Sequence, residues 1–203
     1  MLVILCGLKG SGKSVGLEIL KAQNYSVFCV DDWIHYIYNY GEIGYNAIKN
    51  KLGAEFVDKN QVRRDLINEW IFQGHNSVTN ENQNLMKLNS VMLPLIKAKL
   101  VKLAEAARKS DQVIFVEMAI YLNHQYFFHD VTDAIIYVKR DYLICDNPTL
   151  HAAKYLKPEI KSDWYVVENN TTISQFKKNL VEQVDNLISK LMRRRLHITT
   201  DVI

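Results

Sequence analysis

Lys13 and Ser14 close the run Gly7-Leu8-Lys9-Gly10-Ser11-Gly12-Lys13-Ser14, in which each residue type has a task in holding a polyphosphate. Glycines let backbone N–H groups converge on phosphate oxygens, the Lys13 ammonium supplies a point charge for the β- and γ-phosphates, and the Ser14 hydroxyl suits Mg²⁺. The spacing G-x-x-x-x-G-K-[ST] therefore implies ATP and Mg²⁺ as cofactors. The expected nucleotide contacts are Gly7, Lys9, Gly10, Ser11, Gly12, Lys13 and Ser14, with Lys13 also catalytic. The competing reading is a glycine-rich turn that binds no phosphate. A second set of candidates are acids at strand ends. Asp31 could orient an acceptor hydroxyl and take its proton, while Asp31 or Asp32 could instead cap a helix starting at Trp33. Glu117 could hold Mg²⁺ beside Ser14, or be an edge acid facing solvent.

These residues need a scaffold that places strand ends beside helix starts. The apolar stretch Leu2-Val3-Ile4-Leu5 leads into the loop, and Val15, Leu17, Ile19 and Leu20 after it suit a helix whose positive N-terminal end faces the same anion. Ser26 to Val30 reads as a second strand, followed by helical patterns at about Trp33 to Tyr38, Tyr45 to Leu52 and Gln61 to Phe72. A longer stripe from Asn80 to Lys109 is expected to break or kink at Pro94. The apolar runs Gln112 to Met118 and Ala134 to Val138 suit strands buried on both faces, Trp164 to Val167 supplies a fifth, and a final helix spans Thr172 to about Leu196. Its packed stripe is expected to be Ile173, Phe176, Leu180, Val184, Leu187 and Leu191. Alternating strands and helices behind a phosphate loop mean an α/β fold with a doubly wound parallel five-stranded sheet.

With 203 residues, 48% hydrophobic and 23% charged, the chain reads as one globular domain over residues 1–203. A net charge of +3 is too small to argue for nucleic acid. No apolar run is long enough to span a membrane, and the six-residue start lacks the features of a leader peptide. Cys6, Cys29 and Cys145 form neither a disulfide framework nor a metal pair, so the expectation is a soluble cytoplasmic protein acting on a small molecule. The six histidines, including His35 one turn after Asp31, form no strong metal motif.

Beyond the loop, the order of motifs resembles dephospho-coenzyme A kinases. Val27-Phe28-Cys29-Val30-Asp31 is similar to that family's V-I-D-A-D signature, and GEIGYNAIKNKLG from Gly41 to Gly53 to its G-x-P-A-x-x-A-I-x-x-x-F-G segment. Val62-Arg63-Arg64-Asp65-Leu66-Ile67 resembles L-x-R-x-x-L, Leu93-Pro94-Leu95-Ile96 resembles H-P-L-I, and Val116 to Leu122 falls at V-x-P-L-L-F-E. Glu168-Asn169-Asn170 resembles the D-N-N-G turn. The sequence departs from the family at Cys29, Leu93, Met118 and Leu122. Its lid, about residues 147–162, lacks arginines and carries Lys154, Lys157 and Lys161.

The resemblance implies a phosphate-loop kinase with a helical substrate-binding region at about 33–109 and a short lid. It implies ATP-dependent phosphorylation of the ribose 3′-hydroxyl of dephospho-CoA. Arg64 and Asp31 become the substrate contacts, Asn170 a nucleotide contact, and Ser14 and Glu117 the metal ligands. Arg64 could otherwise be a plain surface cation. Arg140 could reach the nucleotide, Arg193-Arg194-Arg195 suits the negative end of the last helix, and Trp33, Tyr36, Tyr38, Tyr40 and Tyr45 could wall the acceptor site or simply pack. Two alternatives stay open: a kinase of a nucleoside, nucleotide or other metabolite, and a family member that binds nucleotide without turnover.

Overall fold

A computed structural model describes residues 1–76, 81–141 and 160–200. Along the chain the elements are β1 (Leu2–Cys6), α1 (Lys13–Ala22), β2 (Ser26–Cys29), α2 (Val30–Ile37), α3 (Ile43–Lys51), α4 (Arg64–Gln73), β3 (His75–Asn76), β4 (Glu81–Asn82) and α5 (Gln83–Lys109). They continue with β5 (Ile114–Glu117), α6 (Gln125–Phe128), β6 (Ala134–Lys139), β7 (Tyr165–Glu168) and α7 (Ile173–Thr200). The chain divides into two compact units, residues 1–28 with 103–203, and residues 29–102.

The first unit is built on a parallel five-stranded sheet in the order β2-β5-β1-β6-β7. β1 lies at its centre, with Leu5 opposite Glu117 on one side and Ile136 on the other. All five residues of β1 are fully buried, as expected of a strand covered on both faces. α7 lays Phe176, Leu180, Val184 and Leu187 on the sheet at helical spacing, each fully buried. Ile173 departs from the expected stripe. It is the first residue of α7 and is 70% exposed. Thr172 precedes it and caps the helix, its Oγ1 accepting from the Gln175 N–H at 3.2 Å.

The second unit is helical and has its own core of Ile37, Tyr45, Ile48, Phe56, Val62, Ile67, Val91 and Met92. Between α3 and α4 the chain folds back through a turn in which Asp58 Oδ1 accepts the N–H groups of Asn60 (2.7 Å) and Gln61 (2.9 Å). Those two N–H groups hold the Asp58 carboxyl below its ordinary pKa. The Val62 N–H then donates to Tyr38 O at 2.9 Å, which ties the start of α4 to the end of α2. β3 and β4 form an antiparallel ladder, which the sequence patterns did not announce.

α5 is not broken at Pro94, one of the two outcomes expected there. It runs 27 residues with Pro94 inside it. The missing proline N–H removes one rung, but Val91, Met92, Ile96 and Leu100 are buried on either side of it. Burying side chains of that size contributes about 1.5–3 kcal/mol each, enough to outweigh a lost rung.

Candidate active site

The phosphate loop grows out of the buried end of β1. Gly7 turns the chain with φ 155°, and a Cβ there would meet Val138 O at 2.5 Å and Ser11 Oγ at 2.7 Å, so no larger residue fits. The loop closes on itself through Ser11 N–H to Leu8 O (3.1 Å). Gly12 is the N-cap of α1 and has φ 101°, a left-handed backbone that favours glycine. α1 then begins at Lys13, which is 7% exposed and donates from Nζ to Leu8 O at 3.0 Å. Its ammonium is thus held at the mouth of the loop. Lys9 and Gly10 lie exposed on the rim.

Glu117 ends β5, next to β1 in the sheet. It is 7% exposed and accepts a hydrogen bond from Ser14 Oγ at 2.9 Å. That geometry removes the reading of Glu117 as a solvent-facing edge acid and brings together the two oxygens expected to serve Mg²⁺. The loop fits a triphosphate. It combines left-handed glycines, a helix N-terminus, a buried ammonium and an adjacent hydroxyl–carboxylate pair, and it leaves Ser11 Oγ buried without a hydrogen-bond partner among the described residues.

Two further side chains brace the loop. Asn169 Nδ2 donates to Ser11 O at 2.8 Å, and Arg140 Nη1 lies 3.5 Å from Gly10 O. Asn170, the residue expected to contact nucleotide, pairs with Asp141. Its Nδ2 donates to Asp141 Oδ2 (2.6 Å), and its Oδ1 accepts the Asp141 N–H (2.9 Å). The side chain of Asn169 turns toward the loop and that of Asn170 toward the chain leaving β6. Only one of the two asparagines therefore reaches the loop.

A separate cavity of about 430 Å³ lies within the helical unit. α2 contributes Asp31, Ile34 and His35, its C-cap Tyr38 adds to them, α4 contributes Arg64, Ile67, Asn68 and Ile71, and α5 contributes Leu88. The spacings 31, 35, 38 and 64, 67, 68, 71 are one face of each helix. Asp31 and Arg64, the expected substrate contacts, thus line the same cavity, together with His35.

Burial pushes the Tyr38 phenol up to about 12, while the Arg64 guanidinium acts in the opposite direction. Tyr38 stays protonated at neutral pH and offers the cavity a neutral O–H. Of the two adjacent arginines, Arg63 is bound by Asp65, Nη2 to Oδ2 at 2.6 Å, whereas Arg64 faces the cavity. Asp31 and Asp32 do not cap a helix starting at Trp33. α2 begins at Val30 with Cys29 as its N-cap, so both acids sit in the first turn, where negative charge is favoured by the helix dipole.

Of the aromatic cluster only Tyr38 lines the cavity. Tyr45 donates to Asp58 O (2.7 Å), Tyr36 to Glu42 (2.9 Å), Tyr40 packs edge-on against Tyr45, and Lys99 sits over the Trp33 ring. Lys161 lies over the Tyr126 ring, 5.3 Å from its centroid. Lys154, Lys157 and most of the expected lid fall outside the described residues. No helix among the described residues is long and apolar enough to cross a membrane.

The dephospho-CoA kinase family model matches residues 1–142, a stretch that contains the phosphate loop, Glu117 and the whole helical unit. Dephospho-CoA kinases of Mycoplasma pneumoniae and Mycoplasma genitalium are each 30% identical over 142 residues, 70% of this chain. The match spans 66% and 67% of those relatives' own lengths. A solved dephospho-CoA kinase structure from Campylobacter jejuni superposes with a TM-score of 0.62 at 18% identity, covering 92% of this chain and 96% of that one, and shares the fold. With the family match running unbroken from β1 to just past β6, the chain belongs to the dephospho-CoA kinase family.

Proposed function

We propose that the protein transfers the γ-phosphoryl group of ATP to the ribose 3′-hydroxyl of dephospho-CoA, completing coenzyme A. The observation that carries this reading is that the family match includes both the phosphate loop and the cavity holding Asp31 and Arg64. Gly7 to Ser14 hold the triphosphate, with Lys13 neutralising charge that spreads over the phosphoryl oxygens in a loose transition state. Ser14 and Glu117 are the residues that hold Mg²⁺, which when bound screens the phosphate charge.

Asp31 accepts the proton of the acceptor hydroxyl as its oxygen bonds to the γ-phosphorus and the bond to the ADP oxygen breaks. Arg64 takes an acceptor phosphate through its planar fork, and Ile34, Ile67, Ile71 and Leu88 supply apolar wall for the rest of the ligand. The test is a turnover assay with ATP, Mg²⁺ and dephospho-CoA alongside a panel of nucleosides, nucleotides and sugars, with products identified by mass spectrometry. Coenzyme A is the expected product. Phosphorylation of another panel member alone would reassign the acceptor, and ATP binding without any product would make the protein a nucleotide-binding module.

A further inference from the structure

Asn169 is the first residue after β7 and lies beyond the family-matched stretch. Its backbone N–H donates to Lys139 O at 2.8 Å, which fixes it against the end of β6. Its side-chain Nδ2 then reaches 158 residues back in sequence to Ser11 O, again at 2.8 Å. Next to it, the double hydrogen bond between Asn170 and Asp141 locks the turn after β7 to the chain leaving β6. Asn169 is therefore a donor held on a rigid platform.

The acceptor it chose matters. None of the described residues has a cis peptide bond, so the Ser11 C=O and the Gly12 N–H belong to one trans peptide and point in opposite directions. A donor fixed on Ser11 O sets the direction of the Gly12 N–H. It also polarises the peptide and strengthens that N–H as a donor. The amide packs so closely that a Cβ at Gly12 would collide with Asn169 Nδ2. A side chain at Gly12 would therefore push the Asn169 amide off Ser11 O, besides straining the left-handed backbone.

We propose that Asn169 is a positioning residue whose carboxamide aims the Gly12 N–H at the β-phosphate of the nucleotide, so that selectivity for ligands carrying a β-phosphate depends on it. This rests on the phosphate loop being the nucleotide site. The role asks only for a carboxamide of this length: aspartate has the same shape but places an oxygen against Ser11 O, and alanine removes the contact.

The experiment is equilibrium binding of ATP, ADP and AMP to the wild type, Asn169→Ala and Asn169→Asp, with a melting temperature for each protein. Asn169→Ala is expected to weaken ATP and ADP by about 3- to 10-fold, the equivalent of one hydrogen bond, while AMP affinity stays within about twofold. Asn169→Asp is expected to weaken ATP and ADP further with the same pattern. Unchanged ATP affinity in both variants, or equal losses for ATP and AMP, would overturn the inference. If neither variant folds, the Gly12 amide resonance of the wild type decides: it is expected to move on saturation with ADP and to stay on addition of AMP, and a resonance indifferent to ADP overturns the assignment. A wild type that binds no ATP removes the nucleotide reading itself, whereas wild-type binding with indifferent variants defeats only the role of Asn169.

Discussion

The two units specify their candidate sites in different ways. In the first, the loop is shaped by main chain: left-handed glycines, a helix start, and carbonyls of Leu8, Gly10 and Ser11 held by Ser11 N–H, Lys13, Arg140 and Asn169. In the second, the cavity is shaped by side chains projecting from α2, α4 and α5. A main-chain site tolerates few replacements, because a side chain at Gly7 would strike the Val138 carbonyl and one at Gly12 the Asn169 amide. A side-chain site can be retuned one residue at a time. Change can therefore accumulate in the cavity of the helical unit while the loop stays intact.

Lys13→Ala tests the main-chain side and is expected to have the largest effect. Turnover should fall by roughly a thousandfold or more, as for loss of a central charge-stabilising donor, and the stabilisation by MgATP seen in thermal melts should disappear. A retained thermal shift in a folded variant would mean that the loop is not where nucleotide binds.

On the cavity side, Asp31→Asn keeps the shape and loses the proton acceptor. Steady-state kinetics should give a kcat lower by roughly a hundredfold with the KM for ATP unchanged, and a far smaller loss in Asp32→Asn. Equal damage in both variants would break the comparison, since it would trace to the first turn of α2 and its dipole. A smaller effect is expected for Arg64→Ala, which should raise the KM for the acceptor about tenfold through loss of a charged hydrogen bond, with Arg63→Ala near wild type. If both arginine variants raised it equally, the cavity would not be the acceptor site.

How much of this could be read in the residues follows the same division. The loop and its strand were legible as local patterns, whereas the acid at the end of β5 stayed open between a metal ligand and a solvent-facing edge acid until its burial beside Ser14 was seen. The bracing role of Asn169 was not legible: the dipeptide Asn169-Asn170 carries no mark of which side chain turns toward the loop, and it is Asn169 that bonds to it. α2 starts earlier than the apolar pattern suggested, because Val30 continues the strand pattern but also serves as the first helical residue ahead of two acids in the favoured first turn. At Pro94 the helix runs on instead of breaking, as tertiary burial on both sides of it overrides local propensity. The cavity itself depends on which helix faces meet, information that no single segment contains.

The smallest expected effect concerns stability alone and separates the first unit's framework from its chemistry. Burial lowers the pKa of His124 below its ordinary 6.5. The folded protein therefore resists protonating it. Its contribution is present above about pH 6.5 and is lost as pH falls through the lowered folded value. Chemical denaturation across that window should show stability declining toward acid, with a shallower decline in His124→Asn. The Asp58 carboxyl, also lowered, acts in the same direction but only in the more acidic carboxylate range.

Cys6 closes β1 directly before the loop, fully buried, with its thiol pushed up to about 12 by burial against the opposing influence of Lys13. Alkylating reagents attack thiolates, and neither the thiolate nor a path to it exists while the central strand is in place. Modification of this one sulfur therefore proceeds only through molecules in which β1 has left the sheet. Its rate counts those openings. The cysteine is a clock set into the floor of the phosphate loop, and ATP, by holding the loop closed, should slow it in proportion to how tightly it binds.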